Sequence, residues 1–151
     1  ADTEVNPDRI TGLVTVDMNG LKEINDNQGH AAGDEALSTL ALCLLQAERR
    51  GQSAYRIGGD EFVIICRDAS QKDSLALVDR IRKNIDETAC SCSIGYCFPE
   101  EKNKNIESML READQMMYAE KSRYYITSGK DRRRRSQDSV VEKQTGNATT
   151  P

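Results

Sequence analysis

Tryptophan is absent from this chain of 151 residues, and aromatic residues make up only 5% of it. Its core must therefore rest mainly on aliphatic side chains. No run approaches the roughly 18 apolar residues that mark a membrane-spanning helix. No basic start leads into an apolar segment, so no secretory signal is visible. The expected location is the cytoplasm, either free or as the cytoplasmic part of a larger, membrane-attached protein. The first residue is Ala, which reads as an excised domain or a processed chain. Five cysteines (Cys43, Cys66, Cys90, Cys92 and Cys97) are odd in number and include no C-x-x-C pair. Cys90 and Cys92, two apart, would share one face of a strand and could not easily bridge each other. Buried thiols in a reducing compartment are the expectation. Two familiar motifs are missing too. Without G-x-x-x-x-G-K-[ST] a P-loop NTPase is out. An EF-hand over "DMNGLKEINDN" fails, because Leu21 and Lys22 stand where an oxygen ligand and a glycine are required.

What is present is charge, unevenly spread. The formal −4 divides into +2 for residues 131–151, with five basic and three acidic side chains, and −6 for residues 1–130. A folded part so acidic is a poor nucleic-acid surface. It would meet a phosphate compound through divalent cations. The length suits one domain with a real core.

Residues 1–9 are polar and expected to be loose. "ITGLVTVDM" reads as a buried strand ending near Asp17. "GLKEINDNQGH" begins helically and breaks at Gly29. "AAGDEALSTLALCLLQAER" follows as a helix with Leu37, Leu40, Ala41 and Leu44 on one face. "SAYRI" and "EFVIICR" are strands joined through Gly58, Gly59 and Asp60, a strong hairpin signal. "SQKDSLALVDRIRKNIDE" is a helix capped by Ser70 or Asp73, with Leu77, Val78, Ile81 and Ile85 inward. "TACSCSIGYCF" is a strand stopped at Pro99. "NIESMLREADQMMYAEKSRYY" is a helix with Ile106, Met109, Leu110, Ala113 and Met117 inward. The order β-α-β-β-α-β-α is a split βαβ pattern, which predicts an α+β fold: an antiparallel sheet with packed helices. From about Asp131 the chain is polar and aperiodic, expected to be disordered, and its run Arg132 to Arg135 reads as a solvated tail.

If the two hairpin strands neighbour the first strand, Asp17 and Asp60 converge. Paired carboxylates at adjacent strand ends suit Mg²⁺, which keeps waters and takes further ligands from phosphates. A turn residue and a strand stop explain the same letters, and spacing leaves both open. Asp34 after Gly33 fits a helix N-cap. With an amide such as Asn25 nearby, it also fits recognition of a guanine edge. Lys22 is either solvated or a terminal-phosphate contact, and the lone His30 reads as a loop-holding residue. Lys121 follows Ala113 and Met117 at steps of four, so it continues an inward stripe; such a lysine either snorkels or serves an internal anion, and the anion is the favoured reading.

"RIGGDEFVI" resembles the signature of GGDEF-domain diguanylate cyclases, as "VDMNGLKEINDNQGHAAGDEAL" and "READQMMYAEK" resemble that family's upstream and late-helix patterns. The three segments occur in the family's order and cover roughly residues 10–130. The resemblance implies a palm-like, ferredoxin-like or nucleotidyl cyclase-like fold, with a βαββαβ core plus a C-terminal helix. It implies one GTP per protomer, a homodimer that condenses two GTP into cyclic di-GMP, and a sensor outside the chain. By position it makes Asp17, Asp60 and the Met18 carbonyl ligands of Mg²⁺ or Mn²⁺, and Glu61 an acid near the attacking hydroxyl. Asn25 and Asp34 become guanine readers. The amides around Gly20 and Leu21, with Lys22 and Lys121, become phosphate contacts, and Gly58 and Gly59 leave the nucleotide room.

Several positions depart from the pattern. The family's N-terminal helix is missing, Asn19 stands where aspartate is common, and Leu21 replaces phenylalanine. Tyr125 replaces an arginine. The inhibitory R-x-x-D falls on Arg49 to Gln52, so Arg49 is kept but the aspartate is lost, which implies a degenerate site. The competing readings are a degenerate module that binds GTP or cyclic di-GMP without turnover, and a cyclase using adenine. Asp34 disfavours the latter, since a carboxylate repels the acceptor N1 of adenine.

Overall fold

A computed structural model describes residues 4–100 and 105–127. The polar tail and its arginine run lie outside the described residues. Four strands, β1 (Ile10–Met18), β2 (Gln52–Arg56), β3 (Glu61–Arg67) and β4 (Cys92–Cys97), form one sheet in the order β2-β3-β1-β4. All its pairings are antiparallel. Helices α1 (Leu21–Gln28) and α2 (His30–Ala47) connect β1 to β2, α3 (Gln71–Asp86) connects β3 to β4, and α4 (Ile106–Thr127) follows β4. This is the α+β architecture that the order of elements predicts.

β1 is buried on both faces because helices cover both sides of the sheet. Its period of two sends Val14, Val16 and Met18 into the larger core with Leu40, Leu44, Leu77 and Ile81. Leu13 faces the opposite way and packs with Val63, Cys97, Met109 and Ala113. Alternation puts Asp17 on that second face, towards α4. α4 comes very close there. A Cβ on Gly95 would lie 1.8 Å from the Ala113 carbonyl oxygen, so only glycine lets the helix backbone rest on β4. Residues 4–9 run up to β1, and Asn6 and Arg9 both bond the Asp68 carboxylate, at 3.1 and 2.9 Å.

Some expectations need correction. Ile106 is 43% exposed, since α4 has only begun to meet the sheet at its first turn. Cys90 lies ahead of β4 rather than on it. Asp34 is no N-cap: α2 starts at His30, four residues earlier. The chain turns at Gly29, with φ 93° and ψ 162°, and Gly33 sits inside the helix. Ser70, not Asp73, caps α3, accepting the Asp73 N–H at 3.0 Å. The connection from β2 to β3 is not a glycine-type tight turn either. Neither Gly58 nor Gly59 has positive φ, and Arg56 holds the turn by donating to the carbonyls of Gly58 and Gly59.

Candidate active site

Where β1 ends, β3 begins beside it. Asp17 pairs in register with Glu61, and the Met18 N–H donates to the Asp60 carbonyl at 3.3 Å. Three carboxyl groups from two adjacent strand ends are thereby brought together on the side facing α4. That helix answers with a polar stripe. Asp114, Tyr118, Lys121 and Tyr125 recur at helical spacing. Asp114, Lys121 and Tyr125 meet the strand ends or the turn beyond β1, and the half-exposed Tyr118 lies within the acids' field. The Lys121 ammonium lies 2.8 Å from the Met18 carbonyl oxygen and 3.3 Å from Asp17 Oδ2. The Tyr125 hydroxyl accepts the Gly20 N–H at 3.0 Å. Gly20 itself needs to be glycine, since its φ of 74° is left-handed.

The electrostatics follow from this crowding. Burial pushes the Asp17 carboxyl above its usual range; Lys121 pulls it back, and Asp60 pushes it up again. Burial also raises Glu61, helped by Asp114 and then Asp17. Asp114 is raised by burial, offset in part by a hydrogen bond from Glu61. Partial burial and then the surrounding acids raise the Tyr118 hydroxyl. Asp17 Oδ1 and Asp114 Oδ1 are buried, and neither has a hydrogen-bond donor among the described residues. What faces Asp114 is the Glu61 carboxyl, which donates only when protonated.

The remaining predicted residues divide. Asn25 packs its amide where a Cβ of Gly33 would be, with Oδ1 1.9 Å from that point. This seats Asn25 against the turn of α2 that carries the exposed Asp34. Leu21 packs on the core. Lys22 turns away from the carboxylates and pairs with Asp26 at 2.8 Å on the surface of α1. Gly58 and Gly59 have nothing within 4 Å of where a Cβ would stand. The turn beside Asp60 is bare, with a reason neither in strain nor in packing inside the protomer. Arg49 lies far along the chain's other sheet edge, lining a cleft of about 430 Å³ with Arg50, Gln52 and Arg80. There Gln52 Oε1 accepts the Arg49 N–H at 2.9 Å and Arg80 Nη2 at 3.0 Å.

Comparison with known proteins settles the family. Residues 3–124 match the family model "Diguanylate cyclase, GGDEF domain". The chain belongs to the GGDEF diguanylate cyclase family. It is 33% identical over 112 residues to the probable diguanylate cyclase DgcJ of Escherichia coli K12, covering 72% of this chain and 23% of that protein. It is 32% identical over 118 residues to the cyclic di-GMP phosphodiesterase PdeR of the same strain, covering 73% and 18%. The chain thus spans a quarter or less of these two relatives. An EAL/GGDEF domain protein from M. capsulatus superposes with a TM-score of 0.69 at 29% identity, covering 80% of this chain and 84% of that one.

Among the described residues of this GGDEF domain, no three histidine, cysteine or acidic side chains form a ready-made metal cluster. The donors at hand are sparser: Asp17, Asp60 and the Met18 carbonyl. Such a set fits a hard cation that keeps most of its waters and completes its shell with phosphate oxygens. The buried, donorless Asp17 Oδ1 and the ammonium already drawn to Asp17 and Met18 agree with that fit. Tyr125 entered the sequence reading only as a lost arginine; Asp114 and Tyr118 escaped it. Their one signal is their spacing with Lys121.

Proposed function

We propose that this GGDEF domain is a diguanylate cyclase working as a homodimer. Each protomer binds one GTP, and the 3′-hydroxyl of each nucleotide attacks the α-phosphate of the other. Two phosphodiester bonds form, two bonds to pyrophosphate break, and the product is cyclic di-GMP. The observation that supports this most is the meeting of Asp17 and Asp60 around a buried carboxylate oxygen with no donor of its own.

Asp17, Asp60 and the Met18 carbonyl would hold Mg²⁺ or Mn²⁺. When bound, such a cation lowers the pKa of the attacking hydroxyl and neutralises charge on the departing pyrophosphate. Glu61 orients the 3′-hydroxyl and accepts its proton; a carboxyl raised above its usual range suits that task better than an ordinary one. The Asp34 carboxylate accepts from guanine N1–H and N2–H, and Asn25 supports the same edge. The amides around Gly20 and Leu21, with Lys22 and Lys121, receive the triphosphate. The bare turn at Gly58 and Gly59 lets the partner's nucleotide approach. Residues 10–130 carry this function, under control of a sensor elsewhere, in the cytoplasm and without nucleic acid. No described helix is long and apolar enough to cross a membrane.

One observation favours the rival reading of a binding module without turnover: the tyrosine at 125 lies on the Gly20 amide, where an arginine would reach for phosphate. Incubating the chain with GTP and Mg²⁺, at a concentration where a dimer is demonstrable, decides between them. Cyclic di-GMP and two pyrophosphates per product are expected. A dimer that binds GTP and yields no product makes it the binding module. A dimer that binds neither GTP nor cyclic di-GMP overturns both.

A further inference from the structure

The end of α4 touches the turn after β1 through two contacts that have the chemistry of a ligand. Lys121 places a cation on the Met18 carbonyl and on Asp17, at 2.8 and 3.3 Å. Four residues on, Tyr125 places an oxygen on the Gly20 N–H at 3.0 Å. The turn is held from behind as well. Asn19 N–H donates to the Ser91 carbonyl at 2.8 Å, its amide donates to Ser91 Oγ at 3.0 Å, and Ser93 Oγ donates to Asn19 Oδ1 at 2.7 Å. The turn therefore keeps its shape whether or not α4 touches it.

We propose that α4 stands in for the metal–nucleotide in the free protein, Lys121 for the cation and Tyr125 for a phosphate oxygen. This rests on reading the site as a GTP site. The physical reason is satisfaction of buried groups. A buried carboxylate and carbonyl and a half-buried amide without partners are costly, and α4 supplies a partner for each. A divalent cation arriving alone must displace the ammonium and leave it beside positive charge. A cation arriving with a triphosphate offers Lys121 an anion in exchange. Cation and nucleotide thus load together, and by linkage each strengthens the other.

Mn²⁺ binding is measured calorimetrically, with and without a GTP analogue carrying a methylene between the α- and β-phosphates, which cannot release pyrophosphate. The wild-type chain is expected to bind Mn²⁺ about tenfold more tightly with the analogue present. Lys121→Met, with Lys121→Gln as the second variant should the first not fold, tightens nucleotide-free Mn²⁺ binding and shrinks that ratio. Tyr125→Phe keeps the ring against Tyr124, lowers the melting temperature of the free chain, and binds the analogue at least as tightly as wild type. Unchanged nucleotide-free Mn²⁺ affinity in the Lys121 variants overturns the proposal while leaving the GTP site standing. So does analogue binding weakened tenfold in Tyr125→Phe, because the tyrosine is then a nucleotide contact. A wild-type chain that binds no analogue overturns the GTP reading itself, and the stand-in with it.

Discussion

The two ends of the sheet treat charge in opposite ways. Where β1 finishes and β3 starts, acids gather, and two buried carboxylate oxygens have no donor among the described residues. Where β2 starts, arginines gather and are satisfied. Arg80 Nε donates to the Ala47 carbonyl at 2.9 Å, and Arg80 Nη2 and the Arg49 N–H converge on Gln52 Oε1. Arg49 Nη1 reaches the carbonyls of Gln46 and Glu48. Paired polar groups hold a fold together, whereas crowded, unpaired acids cost stability and are kept for what binds them. Asp60→Ala should separate the two most sharply. It is expected to lower cyclase turnover by on the order of a thousandfold, about 4 kcal/mol of transition-state stabilisation. The melting temperature should hold or rise, because Asp60 pushes against Asp17. Product formation and a thermal melt on the same preparation check both halves. Unchanged turnover would remove Asp60 from the metal site.

The arginine end predicts the reverse. Gln52 is 6% exposed, and Gln52→Ala leaves the Arg80 guanidinium and the Arg49 N–H without that acceptor. The expected cost is about 1–3 kcal/mol of folding stability, read from urea unfolding. Turnover per folded molecule should not change. If activity falls while stability holds, this end is not merely structural and the contrast collapses.

How much of this could be read beforehand differs along the same line. The strands and helices were legible because their apolar periods are clean: Val14, Val16 and Met18 alternate with Leu13, and Leu77, Val78, Ile81 and Ile85 are all buried. Asp17 and Asp60 were legible as a pair once the strands were taken as neighbours. Lys121 was legible because a charge in an apolar stripe is conspicuous. Asp114 and Tyr118 were not, since polar residues on a long helix look solvated until it is known which face meets the sheet. Tyr125 was legible only as a missing arginine, not as a contact to the Gly20 amide. The cap wrongly expected at Asp34 has a similar origin. A glycine inside a helix reads as a break, and only packing reveals that Gly33 makes room for Asn25. Gln52 was legible only as the aspartate missing from R-x-x-D; its structural role was not, because its two donors come from a helix end and from α3.

The smallest expected effect tests the acidic end without a ligand. Asp17, Glu61 and Asp114 all have carboxyl groups raised on folding. Unfolded carboxyls titrate near pH 4, so above that pH the folded chain holds protons that the unfolded chain has released. Stability carried by these groups is therefore fully present below about pH 4 and is lost as pH rises through their higher folded values. Asp68 works in the opposite sense, lowered first by the Asn6 N–H and also by Arg9, but it lies at the other end and is common to every variant. The informative quantity is thus the difference between wild type and Asp114→Asn, melted in chelator from pH 4.5 to 7.5. The variant should gain on the wild type as pH rises, because an amide cannot become the charge that the site lacks donors to hold. A difference that stays flat across the range would mean that Asp114 and Glu61 do not share a proton in the free protein.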